Sequence, residues 1–308
     1  MWKKILYVFL ALILVLIGAF IFTYRKDISI DELKPKYAQA PSQFIEVNGL
    51  QAHYRDEGQG FPLVLIHGTG ASLHTWNVWT KQLSKHFRVI RFDLPAYGLT
   101  GPDPKHDYRI SAYVDFVKQF LDKIKVKQCH IAGNSLGGNI SWQFALSHPD
   151  RVDRMILLDA SGMPTNKKAP WVFRLAKTPV LNKVVRYATP RFFFRNNLKQ
   201  VYSDDSKITE ALIDRYYHLM LREGNREAFL YRTKVKYQDR SDKISQIKNK
   251  TLIMWGKDDA WIPVKLGYEF QKRLPNSQLI VYPGVGHVPM EEIPNKTAQD
   301  ALKFLKDY

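Results

Sequence analysis

A single cysteine in 308 residues excludes an intrachain disulfide framework and any thiolate-rich metal centre. Cys129 lies in an apolar run and reads as a small buried hydrophobe rather than a reactive thiol. The 16 prolines and 17 glycines follow no period, and no internal repeat or low-complexity tract is present, which excludes a solenoid or a disordered tail. Acidic residues are scarce: 29 Asp and Glu against 46 Lys and Arg leave a net charge of +17. No nucleic-acid module accompanies that charge, so a membrane surface is the better anionic neighbour and no nucleic-acid partner is expected. Long hydrophobic runs are lacking too, with one exception.

That exception is the N-terminus, where Ile5 to Phe22 carries no charge. A helix of about 20 residues crosses a hydrocarbon core of about 30 Å. The bulky Phe20-Ile21-Phe22-Thr23-Tyr24 offers a signal peptidase no small residues, so residues 1–24 read as an uncleaved single-pass anchor. Lys3 and Lys4 favour a cytoplasmic N-terminus and place the rest of the chain on the exported side, although Arg25, Lys26, Lys34 and Lys36 follow the run closely. Residues 25–43 are polar, contain Pro35 and Pro41, show no period, and read as a tether.

Beyond it, Phe44–Val47 and Leu50–Tyr54 flank Asn48-Gly49, a hairpin signature. Buried-strand patterns follow at Leu63–Ile66, Arg88–Asp93, Cys129–Ala132, Arg154–Leu158, Thr251–Trp255 and Leu279–Tyr282. Helical spacing occupies Ser72–His86, Ser111–Ile124 (with Ser111 as cap) and Leu136–Ser147. Such alternation demands a mainly parallel sheet with helices on both faces. It fails over 164–240, where Leu212, Ile213, Tyr216, Tyr217, Met220 and Leu221 mark a helix stopped by Gly224. This insertion reads as a helical cap over the strand ends, between core segments 44–163 and 241–308. It holds 17 Lys and Arg against 7 Asp and Glu, +10 of the chain's +17. Basic residues alternate with aromatics in Trp171–Arg174 and Arg191–Arg195, which suits either a lipid-facing surface or a solvated cap whose aromatics line an acyl pocket.

The chemistry is carried by Gly133-Asn134-Ser135-Leu136-Gly137-Gly138, a G-x-S-x-G turn between strand and helix. Gly133, Gly137 and Gly138 supply the missing bulk that so sharp a turn needs. Asp259 follows the strand ending at Trp255-Gly256, and His287 follows Gly286 past the last strand. Nucleophile, acid and base therefore each stand beyond a strand end, in that chain order. Asp258 and Asp159 are weaker candidates for the acid.

With His67-Gly68, Asp93-Leu94-Pro95, Gly133–Gly138, Trp255-Gly256-x-x-Asp259 and Gly286-His287-x-Pro289 in order, the chain from about Phe44 onward resembles the α/β-hydrolase superfamily, in particular bacterial serine esterases and lipases with a helical cap. Ala96 departs from the pattern, standing where the family commonly has glycine. The resemblance implies an eight-stranded, mainly parallel sheet and a catalytic triad Ser135, Asp259 and His287. It also implies an oxyanion hole from the backbone N–H groups of Thr69 and Leu136, with no metal or organic cofactor. His67 and Asp93 are expected to brace loops. The expected activity is cleavage of small-molecule or lipid carboxylic esters through an acyl-enzyme. Ser135 excludes the aspartate-nucleophile dehalogenases and epoxide hydrolases of this fold. The alternatives are a carbon–carbon bond hydrolase, which shares the G-N-S-x-G-G elbow but usually has tryptophan where Val288 stands, and a non-catalytic binding protein, which would generally have lost a triad member.

Overall fold

Runs dense in Val, Ile and Leu become the strands of one sheet: β1 (Gln43–Val47), β2 (Leu50–Glu57), β3 (Pro62–Ile66), β4 (Arg88–Phe92), β5 (Cys129–Asn134), β6 (Val152–Leu158), β7 (Lys250–Gly256) and β8 (Ser277–Tyr282). The computed structural model describes residues 1–179 and 181–306. Strand order is β1-β2-β4-β3-β5-β6-β7-β8; β2 runs antiparallel to both its neighbours and the others pair in parallel. Residues 63–66 of β3 and 129–134 of β5 are wholly buried, as a sheet covered on both faces requires. Cys129 is among them, its thiol pushed up to about 12 by burial.

Helices in chain order are α1 (Trp2–Thr23), α2 (Ile30–Tyr37), α3 (Asn77–Leu83), α4 (Ile110–Lys123), α5 (Leu136–Ser147), α6 (Trp171–Lys177), α7 (Leu181–Val185), α8 (Arg191–Val201), α9 (Glu210–Met220), α10 (Asn225–Lys234), α11 (Lys265–Arg273), α12 (Pro289–Glu292) and α13 (Pro294–Lys306). α4 shows why they lie on the sheet: Tyr113, Val114, Phe116, Val117, Phe120 and Leu121 recur at helical spacing and are all buried. Among the described residues, 164–240 holds five helices, α6–α10, and no strand.

Three local expectations are corrected. α4 begins after Arg109, so Ser111 lies inside the helix and caps nothing. The helix expected over Ser72–His86 opens with a tight turn, Leu73–Trp76, and only then becomes α3. Gly224, at φ +83°, starts α10 rather than ending α9, which stops at Met220.

The segment 25–43 differs most from its reading as a tether. Ser29 and Glu32 form a reciprocal capping box that starts α2, and Leu33 and Tyr37 are buried against Leu99 and Leu219. Backbone bonds join Ile28 to Leu221 and Glu223, and Arg226 donates to Asp27 Oδ1 at 2.6 Å. The period was invisible because one short helix with two apolar contacts leaves no repeat to read. α1 itself buries none of its 22 residues and would be about 33 Å long. Its end meets the 164–240 insertion directly: Tyr24 bridges Ala188, and the Arg25 amide donates to Tyr187 O at 2.8 Å.

Candidate active site

The turn from β5 into α5 puts Ser135 at φ 54°, ψ −113°, a conformation that costs a non-glycine residue strain. Close packing explains its neighbours. A methyl group on Gly133 would strike the Gly137 backbone, one on Gly137 the Ile66 and His67 backbone, and one on Gly138 Ala160. Ser135 N donates to Leu158 O at 3.0 Å, locking the bend to β6. The amides of Leu136 and Thr69 donate to no acceptor among the described residues.

His287 and Asp259 are both buried, and His287 Nδ1 lies 2.7 Å from Asp259 Oδ2. The other carboxylate oxygen accepts from Trp261 N and Ile262 N at 2.7 and 2.9 Å, so the acid is oriented from both sides. Asp258 is exposed and Asp259 is the residue that meets the imidazole. With Nδ1 held, Nε2 is the nitrogen left for the hydroxyl. Ser135 and His287 line one cavity, and among the described residues no hydrogen bond joins them.

Asp159 lies beneath this pair. Its Oδ1 accepts from Gly256 N at 2.9 Å, its Oδ2 has no partner among the described residues, and burial followed by the Asp259 charge pushes its carboxyl well above the usual range. Asp159, Asp259 and His287 bring ligand-type atoms within 4.8 Å of one another, but Nδ1 and Oδ2 already satisfy each other.

The loops are braced as expected. His67 accepts from Leu94 N at 3.0 Å through Nε2 and donates from Nδ1 to Gly68 O at 2.8 Å. Asp93 accepts from Leu73 N and Leu99 N and faces His53 at 2.7 Å; burial alone would raise its carboxyl, and the histidines around it hold it below the usual range. Ala96 sits at φ +80°, the left-handed region in which glycine is relaxed.

Sequence reasoning missed several supports. Asn134, a variable position of the motif, donates to His287 O at 3.0 Å and Leu158 O at 3.2 Å. Glu292 accepts from Gly286 N at 2.7 Å, Ser203 N at 3.0 Å and Asp204 N at 2.9 Å, tying the histidine loop to the cap. Glu291 pairs with Arg215 and accepts from Tyr216 Oη at 2.6 Å. The Trp261 ring lies 5.5 Å from that of His287. Only the pair Glu291-Glu292 beside His287 offered any signal in the sequence.

The cavity measures about 120 Å³, and Trp171, Phe173, Phe193, Phe194, Leu198 and Phe229 dominate its wall. Of the two readings of the basic-aromatic stretches, the pocket-lining one matches this placement. Arg191 and Arg195 pair with Glu210, and Arg191 also with Asp214.

Comparison with known proteins agrees on the architecture. The 2-hydroxy-6-oxo-6-phenylhexa-2,4-dienoate hydrolase of Burkholderia cepacia is 27% identical over 86% of this chain and 96% of its own length. The meta-cleavage product hydrolase of Pseudomonas fluorescens IP01 superposes with a TM-score of 0.76 at 27% identity, covering 86% of this chain and 97% of that one. A membrane phospholipase A described as a bacterial virulence factor, 24% identical, superposes with a TM-score of 0.75 over 98% of both chains, a span that takes in α1 and speaks for the fold alone. The first two support the carbon–carbon alternative better than the ester reading. The model of the alpha/beta hydrolase fold family matches residues 62–294, and with the sheet order and these relatives it establishes that the chain belongs to that family and is a hydrolase.

Proposed function

We propose that the chain cleaves carboxylic esters by way of an acyl-Ser135 intermediate. The observation that carries this reading is the buried His287–Asp259 contact of 2.7 Å on the wall of the apolar cavity that also holds Ser135. Ser135 Oγ attacks the ester carbonyl carbon as His287 Nε2 takes its proton, and Asp259 stabilises the imidazolium without being protonated. The N–H groups of Thr69 and Leu136 receive the developing oxyanion; losing one such donor costs about 3 kcal/mol of barrier. His287 then returns the proton to the departing alkoxide, which leaves as the alcohol. Water attacks the acyl group, His287 takes its proton and hands it to Ser135 Oγ, and the carboxylic acid departs.

The ester reading is favoured by charge. Arg186 and Arg226 line the cavity but are already paired with Glu227 and Asp27, and Arg215 is paired with Glu291. A dienoate carboxylate entering the acyl cavity therefore meets no unpaired guanidinium there. Carbon–carbon hydrolysis is the second reading, supported by the dienoate hydrolases at 27–28% identity. Assaying a series of p-nitrophenyl esters beside a ring-fission dienoate decides between them. Turnover of the esters but not the dienoate is expected, and the reverse overturns the ester reading. Ser135→Ala should abolish both turnover and fluorophosphonate labelling while the protein still folds.

α1 serves as the membrane anchor in this reading, with the hydrolase domain on the exported side and the cap, 164–240, held at the membrane surface by residues 24–28. Its length, its lack of buried residues and a mean hydropathy of 3.1 support that role. Protease added to spheroplasts, whose outer face of the inner membrane is accessible, should cleave the domain from α1, for a periplasmic or an extracellular placement alike; complete protection would refute the orientation.

A further inference from the structure

A second cavity, of about 560 Å³, shares Thr69 and Phe173 with the acyl cavity and is otherwise built from different residues. Arg109, Lys177, Arg232, Lys236 and Arg240 line it, and no carboxylate does among the described residues. These five cations come from separate places: the residue before α4, the end of α6, the body of α10, and the chain beyond α10. Arg109 pairs with Asp107, and Arg240 donates to the neutral Gln143 Oε1 at 3.0 Å. Arg232 Nε is buried without an acceptor among the described residues.

The start of α4 adds to this field. Ile110 and Ser111 line the same cavity, no side chain caps the helix, and its first turn contains no acid. The positive end of the α4 dipole therefore adjoins a space lined by cations, with Asp107 accepting the Arg109 amide just before the helix. Five other guanidiniums of this insertion, those of Arg186, Arg191, Arg195, Arg215 and Arg226, are paired with carboxylates. A concavity lined by one sign of charge concentrates counter-ions of the other.

Thr69 belongs to both cavities, shares the apolar one with Ser135, and has an amide with no acceptor among the described residues. A carbonyl bound at Thr69 adjoins both cavities, the apolar one suited to an acyl chain and the basic one to an anionic leaving group. Resting on the ester reading above, we infer that the basic cavity binds a phosphate on the leaving half of the substrate, so that the substrate class is an apolar acyl chain esterified to a phosphate-bearing alcohol. Four cations without a carboxylate partner among the described residues, with Arg109 and a helix N-terminus beside them, suit a dianion better than a single carboxylate.

The test uses the full-length chain in detergent micelles and two esters with the same acyl chain, a monoacylglycerol and a 1-acylglycerol 3-phosphate. At low salt kcat/KM should favour the phosphate ester by about tenfold or more, and that ratio should collapse in the double variant Lys177→Glu/Lys236→Glu, whose positions are exposed and spare the core. Binding is read separately from turnover: glycerol 3-phosphate, but not glycerol, should raise the melting temperature of Ser135→Ala, and the rise should vanish when the two lysines are also reversed. A ratio near one in the wild type, a ratio that survives the double variant, or a larger thermal shift with a dienoate carboxylate than with glycerol 3-phosphate overturns the inference. If neither ester is cleaved while the thermal shift is present, the phosphate site stands and the ester reading falls. If the monoacylglycerol is cleaved but neither preference nor shift is seen, the site falls and the ester reading stands.

Discussion

Removing Glu292 should damage stability and catalysis together, through a side chain that never touches the reacting atoms. Its carboxylate accepts three backbone amides, from Gly286 in the histidine loop and from Ser203 and Asp204 in the cap. In Glu292→Ala the Gly286 donor is left buried and unmade, at about 1–3 kcal/mol. The other two bonds are only partly buried, so water replaces them at a loss of about 1 kcal/mol each. The sum, about 3–5 kcal/mol, is a large share of the roughly 5–15 kcal/mol that holds a domain folded. Glu292→Gln keeps one acceptor oxygen but turns an NH₂ toward the remaining donors, and should fall about midway. Urea unfolding monitored by tryptophan fluorescence gives the stabilities. Because Gly286 directly precedes His287, kcat toward a short ester should also drop about tenfold or more in Glu292→Ala below its unfolding transition, from a base less well aimed. An alanine variant within about 0.5 kcal/mol of wild type, with kcat unchanged, would refute the account.

Other substitutions probe other parts. Burial pulls the His74 imidazole down to about 3, whereas the unfolded chain takes up that proton at 6.5. The contribution of neutral His74 is therefore complete above pH 6.5 and is lost as pH falls from there toward 3, at about 1.4 kcal/mol per pH unit. His74→Gln should flatten the stability profile over that window relative to wild type in acid urea titrations; identical slopes would count against it. Asp159→Asn mimics the protonated form that burial and Asp259 impose, so esterase activity should stay within about threefold, whereas Asp259→Asn should cost on the order of 10³–10⁴. Equal losses would mean that the two acids share the role. Ala96→Gly relieves a residue at φ +80° and should stabilise by about 0.5–1 kcal/mol in thermal melts, a lower melting temperature being the contrary result.

Much of this molecule was legible before folding was considered. Strand positions could be read because a sheet covered on both faces needs unbroken apolar runs, and Leu63–Ile66 and Cys129–Ala132 are such runs. The elbow could be read because the Ser135 turn admits only small neighbours, a demand imposed locally and therefore written locally. Ser135, Asp259 and His287 stood out for a related reason, as each follows a strand end. What the sequence by itself determined was whatever the chain's own neighbours enforce: element type, turn chemistry, the long apolar helix, and the order of the candidate triad.

Contacts between distant segments belonged to the tertiary structure alone. Arg226 on α10 holds Asp27 just beyond α1, and Glu292 reaches Ser203 between α8 and α9; neither partner is marked by any spacing. The polar stretch taken for a tether became a packed strap for the same reason, since Leu33 and Tyr37 find Leu99 and Leu219 only after folding. Charge shows the division most clearly. Counting residues gives 164–240 an excess of ten cations, but only three-dimensional pairing neutralises Arg186, Arg191, Arg195, Arg215 and Arg226 and leaves Lys177, Arg232, Lys236 and Arg240 around one cavity without a carboxylate partner among the described residues. Electrostatic energy depends on distance through space, and distance along the chain does not encode it.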